Sequence, residues 1–237
     1  MKLFIATLLL SMSSVVQAYT VFDLNTILET PPIFAENENI PTWGKGNNLG
    51  EGTSISYSFS LEDFIPTDYQ DVIIDAFDAW KSVADLSFNL LDDQAGDIVF
   101  DAKKIDGKLN ILAEASVLTK YSDGPKAISF ISNVEVSFDI VETWSLEPDN
   151  SGISLLSVAL HEIGHALGLD HSLDTSAIMY YAYTGTNALQ ADDIDGIQYL
   201  YGRSLTSPVP EPSTYLMLLL GLVMIGGLDR KVVVSRL

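Results

Sequence analysis

The sequence contains no cysteine and only three histidines among its 237 residues. Disulfides and thiolate metal ligands are therefore excluded, and the fold must be held by its apolar core and by any metal bound through other side chains. Basic residues are also scarce, with 12 Lys and Arg against 32 Asp and Glu and a formal charge of −20. Because such a surface repels phosphate backbones, nucleic acid is not an expected partner.

All three histidines fall between positions 161 and 171. The apolar run that begins at Ile153 predicts a helix, on which a spacing of four residues places His161 and His165 on one face, one turn apart. Two imidazoles in this arrangement can bind one metal ion. Gly168 can adopt the left-handed conformation that ends a helix, so the chain can turn back and bring His171 in from a third direction.

Three nitrogen ligands that leave a fourth position open are typical of catalytic rather than structural zinc. A water in the open position has its pKa lowered to about 7. Glu162 directly follows the first ligand, so its carboxylate can act as a general base without binding the metal. The alternative is a buried amphipathic helix with incidental histidines, which leaves the spacing of Gly168 and His171 unexplained.

Residues 161–171 match the metzincin metallopeptidase signature His-Glu-x-x-His-x-x-Gly-x-x-His at every fixed position. The methionine turn of that family corresponds to Ser176–Tyr181, with Met179 as its methionine. Over about residues 53–202 the sequence resembles the matrixins most, with some serralysin features. The resemblance implies an α+β fold: a twisted, mostly parallel sheet with an antiparallel edge strand, an active-site helix and a C-terminal helix.

Hydrophobic periodicity predicts the elements around this motif. Alternation over Thr53–Ser60 predicts a half-buried strand, and helical spacing over Asp68–Val83 predicts a helix with Thr67 as its N-cap. A closing helix is expected over Leu189–Tyr201. The residues expected to face inward from the two helices are Ile73, Ala76, Phe77, Trp80, Val83, Ile194, Ile197 and Leu200. Further strands are expected at Leu86–Leu91, Asp97–Asp101, Leu109–Ala115, Ala127–Ile131 and Val134–Val141.

The stretch Asp123–Phe130 resembles the matrixin loop that runs into the edge strand over the cleft. The unpaired backbone groups of such an edge can hold an extended protein or peptide substrate by strand addition. Matrixins bind a structural zinc through histidines here, but this chain has Ile128 and Ser137 at two of those positions, so no structural zinc is expected.

Carboxylates in the same region resemble the matrixin calcium ligands. Asp139 and Glu142 keep the three-residue spacing of two of these ligands, and Asp123 corresponds to the third. Calcium suits such oxygen ligands. In a chain this acidic, ordinary surface carboxylates remain an equally open interpretation.

Two tyrosines follow Met179. Tyr181 departs from the matrixin pattern, whereas Tyr183 agrees with it. Tyr181 stands where astacins and serralysins have the tyrosine that hydrogen-bonds the developing oxyanion. Tyr183 corresponds to the tyrosine of the matrixin specificity pocket. Packing of both aromatic rings in the core is the alternative. Matrixin latency depends on a propeptide cysteine that binds the zinc, and this mechanism cannot operate in a chain without cysteine.

The two ends of the chain resemble export signals. Residues 1–18 predict a secretory signal peptide cut after Ala18, with a short membrane anchor as the alternative, and residues 19–45 have no assigned role. After the expected metallopeptidase domain, 46–203, a Pro/Ser linker with a Pro-Glu-Pro motif (204–213), a membrane helix (214–229) and a basic tail (230–237) follow in order. They resemble a PEP-CTERM sorting signal, and a plain C-terminal anchor is the alternative.

The sorting signal implies export from a Gram-negative bacterium and processing by an exosortase-type enzyme. The protein would pass through an inner-membrane intermediate to the cell surface or the medium, with this signal as its only contact with the membrane. The expected function is a secreted or surface-sorted zinc endopeptidase that acts on extracellular proteins. The alternatives are a non-catalytic, zinc-binding matrix protein, which needs no base at Glu162, and a polysaccharide-active enzyme, which leaves the zinc motif unexplained.

Overall fold

A twisted sheet flanked by helices dominates the structure, a computed structural model. It describes residues 12–20 (backbone only), 41–44, 49–60, 65–121, 129–147 and 152–204. The expected membrane helix 214–229, the linker and basic tail, the first part of the signal peptide, and the residues Asp123 and Ile128 lie outside this described part. None of the helices within it is both long and apolar enough to span a membrane.

Seven strands in the described part of the chain form one sheet, in the order β1-β6-β7-β5-β3-β4, with β2 paired to β7. The β3–β4, β3–β5, β5–β7 and β2–β7 pairs are parallel, whereas β6 runs antiparallel to β7 and to β1. The mostly parallel sheet with antiparallel strands at one side confirms the predicted fold class. The strands are β1 Met12–Thr20, β2 Thr42–Trp43, β3 Thr53–Phe59, β4 Leu86–Leu90, β5 Ile98–Lys103, β6 Ile111–Tyr121 and β7 Ser129–Asp139.

Three helices complete the described part: α1 Thr67–Val83, α2 Leu155–Ala166 and α3 Ala191–Tyr201. A short parallel pair, β8 Trp144–Ser145 and β9 Ile153–Ser154, precedes α2. The indole Nε1 of Trp80 donates a 3.0 Å hydrogen bond to the carbonyl of Leu160, which fixes α1 against α2. Helix α2 is buried along nearly its whole length. The histidine-bearing helix is therefore a central element of the core.

A buried junction joins β2 to the ends of α2 and α3. The Trp43 indole donates to the carbonyl of Ala166 at 2.7 Å. The Tyr201 hydroxyl donates to the carbonyl of Leu167 at 2.7 Å and accepts from the backbone amide of Trp43 at 3.2 Å. Three segments far apart in sequence are thus linked by side chains that are almost fully buried.

Several element boundaries differ from the sequence prediction. Pro66, not Thr67, occupies the N-cap of α1, and no side chain caps this helix. The two strands predicted on either side of Ser132 and Asn133 form one continuous strand, β7. The β6–β7 pairing shifts register between Leu118 and Thr119, so the chain continues through Ser132 and Asn133 without leaving the sheet. The Ser132 hydroxyl bonds the Leu118 carbonyl at 3.0 Å, so a pair typical of a turn is accommodated within the sheet.

The strand that follows the stretch 123–130 is not at the edge of the sheet. This strand is β7, which lies between β6 and β5. The antiparallel strand on the outer side of the parallel strands is β6, and β1 pairs with it in turn. The edge strand was expected directly after residues 123–130, but the outer antiparallel strand is the one before them, β6, so this expectation was wrong. Strand β6 extends to Tyr121, six residues beyond its predicted end.

Candidate metal centre

The three histidines converge on one point. The Nε2 atom of His165 lies 3.0 Å from Nε2 of His161 and 3.3 Å from Nε2 of His171. Two nitrogens bound to one tetrahedral zinc at about 2.0–2.1 Å are separated by roughly 3.3 Å. Both measured pairs thus have about the spacing that a single zinc ion requires, and ligand atoms of all three histidines lie within 4.8 Å of one another.

Backbone carbonyls set the tautomers of the two helical histidines. Nδ1 of His161 lies 2.7 Å from the carbonyl oxygen of Ile178, and Nδ1 of His165 lies 2.9 Å from that of Leu169. A carbonyl only accepts hydrogen bonds, so each Nδ1 carries the proton and each Nε2 keeps its lone pair. Lone pairs that face one another at 3.0 Å repel unless a cation lies among them. An Nδ1–H group bonded to a carbonyl oxygen is also the usual arrangement of histidines that bind a metal through Nε2.

Burial keeps these imidazoles neutral. It lowers the pKa of His161 well below the ordinary value and that of His165 to about 3, and the neighbouring histidines add to the effect. Burial also lowers the pKa of His171, although Asp170 partly opposes this. A metal binds only the unprotonated nitrogen, so the site does not have to lose protons at neutral pH before it can hold zinc.

Gly168 makes the turn that brings the third histidine back to the helix. Its φ is +97°, a conformation that side chains rarely adopt, and an added Cβ would lie 3.0 Å from the carbonyl oxygen of Pro41. The position therefore requires glycine both for its backbone conformation and for the close approach of the chain.

Glu162 is fully buried, and neither of its carboxylate oxygens has a hydrogen-bond partner among the described residues. Burial raises the pKa of this carboxyl well above its ordinary value, and the nearby carboxylate of Glu114 adds to the shift. A buried polar group without a partner is costly and rare in folded proteins. Its location directly after His161 makes it available to a substrate or a water at the metal.

Two residues hold the turn that contacts His161: Met179, and Asp193, whose role sequence reasoning missed. Met179 is buried, and an added Cβ on Gly164 would lie 2.3 Å from its Sδ. The carboxylate of Asp193 accepts hydrogen bonds from the backbone amides of Ile178 and Met179 at 2.9 and 3.0 Å. Since the Ile178 carbonyl contacts Nδ1 of His161, Asp193 positions this predicted metal ligand through one peptide unit.

Asp193, not Ile194, is the buried residue at this turn of α3. Periodicity favours the apolar neighbour, because a buried aspartate is expected only where it has several donors. Its amide partners lie in the methionine turn, and its capping of the Gln190 amide at 2.7 Å adds a third. The only sequence signal is an aspartate at the third position of a helix, a typical capping-box position.

The two tyrosines after the turn occupy different surroundings. The ring of Tyr181 contacts that of Tyr180, with centroids 4.5 Å apart. The hydroxyl of Tyr183 accepts a 2.8 Å hydrogen bond from the backbone amide of Ser154, the N-cap of α2. Tyr183 therefore ties the segment after the turn to the start of the histidine helix.

The expected calcium carboxylates are brought together with a loop that the sequence analysis did not identify. Asp139 accepts from the amides of Asp106 and Val141 at 3.1 and 3.0 Å, and Glu142 accepts from Leu109 at 2.5 Å. Within the described part of the chain, the loop that contains Asp106 meets Asp139 and Glu142, whereas the predicted third ligand, Asp123, lies outside the described residues. The two buried carboxylates already have backbone donors, so each has a structural role without an ion.

Family profiles match two parts of the chain. The matrixin profile matches residues 48–202, which include the three histidines, the methionine turn and α3. A PEP-CTERM protein-sorting motif matches residues 208–231. Both matches confirm resemblances that the sequence motifs indicated, and the sorting motif indicates export and passage through a membrane.

Similar proteins occur in mammals. The chain is 34% identical to an interstitial collagenase of Equus caballus over 174 residues, which covers 68% of this chain and 34% of the relative. It is 34% identical to stromelysin-3 of Mus musculus, covering 61% and 30%. It is 37% identical to a macrophage metalloelastase of Oryctolagus cuniculus, covering 65% and 34%. The chain thus spans about a third of the length of these relatives.

Proposed function

This chain belongs to the matrixin family, and on that premise we propose that it is a zinc-dependent endopeptidase of extracellular proteins. One observation carries the proposal. A fully buried carboxylate without a partner among the described residues, Glu162, is next to a histidine triad in which backbone carbonyls set the tautomers of His161 and His165. A site that held zinc for stability alone would have no use for this costly group.

His161, His165 and His171 would hold the zinc through Nε2. When bound, zinc is a Lewis acid that polarises the scissile carbonyl and makes water nucleophilic near neutral pH. Glu162 takes a proton from the attacking water and delivers it to the leaving amine, since its unpartnered carboxylate directly follows the first ligand on the buried helix. Tyr181 is the proposed donor to the developing oxyanion, and Tyr183 borders the specificity pocket.

The proposed substrates are extended segments of extracellular proteins. The names of two relatives, collagenase and metalloelastase, fit this class. Exposed backbone groups of a sheet edge can hold such a segment by strand addition. The sorting motif supports processing by an exosortase-type enzyme, with the cell surface or the medium as the proposed destination.

Calcium at the loop joined by Asp139 and Glu142 is a secondary proposal. Each carboxylate oxygen that accepts one amide keeps a further lone pair for a hard cation. No structural zinc is proposed, because Ser137 takes the place of one of the histidines that matrixins use.

The decisive experiment is the cleavage of casein by the protein purified from its exporting host, with and without a zinc chelator, beside Glu162→Ala. We expect the chelated sample and the variant to be inactive, with one zinc per chain still bound in the variant. Zinc binding without cleavage of casein or of a peptide library by the wild type would contradict the proposal and favour a non-catalytic matrix protein.

A further inference from the structure

Helix α2 and its N-cap carry a row of polar side chains on one side of the helix. Residues three or four positions apart lie on the same side of a helix. Counted from the N-cap, this row contains Ser154, Ser157, His161 and His165. Ser157 therefore lies between the start of the helix and the two helical histidines, about 6 Å along the helix axis from His161.

The hydroxyl of Ser157 is buried and has no hydrogen-bond partner among the described residues. The residue is 1% exposed, and its Oγ shares this condition with the carboxylate of Glu162. A serine inside a helix usually points to solvent or bonds the carbonyl four residues before it, and Ser157 does neither. Because an unmatched buried hydroxyl costs folding free energy, this hydroxyl is available to a polar group that enters the site.

The segment after the methionine turn is tied to the other end of this row. The hydroxyl of Tyr183 accepts a 2.8 Å hydrogen bond from the amide of Ser154. The Ser154 hydroxyl donates to the side-chain oxygen of Asn187 and accepts from the amide of Ser157 at 3.2 Å. The polar groups of Ser154 are thus used within the fold. Ser157, one turn nearer the histidines, keeps its hydroxyl open.

We propose that Ser157 determines substrate specificity, and that its hydroxyl binds a neutral, hydrogen-bonding side chain next to the scissile bond. This inference rests on the proposed peptidase function and names side chains of the glutamine, asparagine, serine or threonine type as its substrates. An anionic side chain is disfavoured by the net charge of −20, and a serine cannot compensate a buried cation. An apolar side chain would fill the same space but leave the hydroxyl unmatched.

Two pairs of fluorogenic peptides test this specificity. The members of a pair differ only by glutamine or methionine, which are similar in length and volume, at the position before or after the scissile bond. In one of the two pairs we expect the wild-type protein, purified from its exporting host, to cleave the glutamine peptide with a kcat/KM at least about tenfold higher.

The variants separate a contact with substrate from a structural role. Ser157→Ala should slow cleavage of the glutamine peptide and not of the methionine peptide, so that the preference disappears. Ser157→Thr retains a hydroxyl and should retain the preference. Ser82→Ala, at an exposed serine of α1, is the matched control and should leave the ratio unchanged.

Two further measurements do not depend on catalysis. The same peptides are titrated into the zinc-loaded Glu162→Gln variant and followed by fluorescence anisotropy. We expect tighter binding of the glutamine peptide, and loss of this difference when Ser157→Ala is added. Ser157→Ala should also leave the melting temperature unchanged or raise it, because no internal hydrogen bond is lost. A clear fall in melting temperature would show that the hydroxyl has a structural partner and would overturn the inference.

The outcomes distinguish this inference from the function on which it rests. Equal cleavage of both members of each pair, or an unchanged ratio in Ser157→Ala, would overturn the role of Ser157 and leave the peptidase function in place. Preferential binding of the glutamine peptide without cleavage by the wild type would support the role of Ser157 and overturn the peptidase function.

Discussion

At the scale of single residues, the burial of the Glu162 carboxylate costs folding free energy but leaves the group available for proton transfer. Its carboxylate is fully buried and unpartnered among the described residues. We expect Glu162→Gln to lower kcat/KM by about 10²–10⁴-fold, since the amide cannot transfer a proton. The variant should nevertheless be at least as stable as the wild type, because a neutral amide costs less to bury than a carboxyl group that must ionise.

Kinetics, zinc content and thermal unfolding of the same sample would check this prediction. A variant that keeps most of the wild-type kcat/KM would show that Glu162 is not the base. A large loss of stability would instead show that its carboxylate has a structural partner.

Asp193 does not need to contact substrate for its role to be measured, because we expect that role to show in stability and in zinc binding. Asp193→Asn replaces an acceptor oxygen with a donor and loses a bond to the amide of Ile178, Met179 or Gln190. We expect a loss of about 1–3 kcal/mol of unfolding free energy and weaker zinc binding, because the Ile178 carbonyl would no longer be fixed against His161. Asp195→Asn, at an exposed position of the same helix, is the matched control and should change neither quantity.

At the scale of elements, the α1–α2 contact depends on the absence of a side chain at Gly164. A Cβ there would lie 2.3 Å from the Met179 Sδ and 3.1 Å from the Trp80 Cζ2. We expect Gly164→Ala to cost about 1–3 kcal/mol by overpacking, measured by chemical denaturation. Gly107→Ala, where nothing lies within 4 Å of the added Cβ, is the control. Equal effects of the two substitutions would contradict this packing argument.

The elements also show what the sequence can predict. Helical spacing identified the buried side of α1 from Ile73 to Trp80, because apolar periodicity follows directly from burial. The histidine motif predicted that the three imidazoles come together, because all of them lie within eleven consecutive positions. The lengths of β6 and β7 were not predicted, since a register shift within a strand pair has no local sequence signal. The role of Asp193 depends on amides more than a dozen residues away and was likewise invisible.

At the scale of the whole molecule, the helix that carries two of the three histidines of the candidate metal centre is itself part of the hydrophobic core. The histidine helix is buried along nearly its whole length, and one ligand atom from each of its two histidines and from His171 lie within 4.8 Å of one another. We expect removal of zinc to lower the melting temperature, because a ligand that binds only the folded state at 100 times its Kd contributes about 2.7 kcal/mol. Calorimetry with a chelator and after addition of zinc would measure the shift. An unchanged melting temperature would mean that the folded chain does not bind zinc tightly.

The junction of Trp43, Ala166, Leu167 and Tyr201 bears on how the domain can be cut from the chain. A fragment that starts after Trp43 would leave the buried Ala166 carbonyl without its indole donor and the Tyr201 hydroxyl without the amide that it accepts from. One that stops before Tyr201 would leave the Trp43 amide and the Leu167 carbonyl without the hydroxyl that binds both. A fragment that folds independently must therefore include Trp43, which precedes β3, and continue through Tyr201 at the end of α3. Fusion points in engineered proteins should lie outside these two residues.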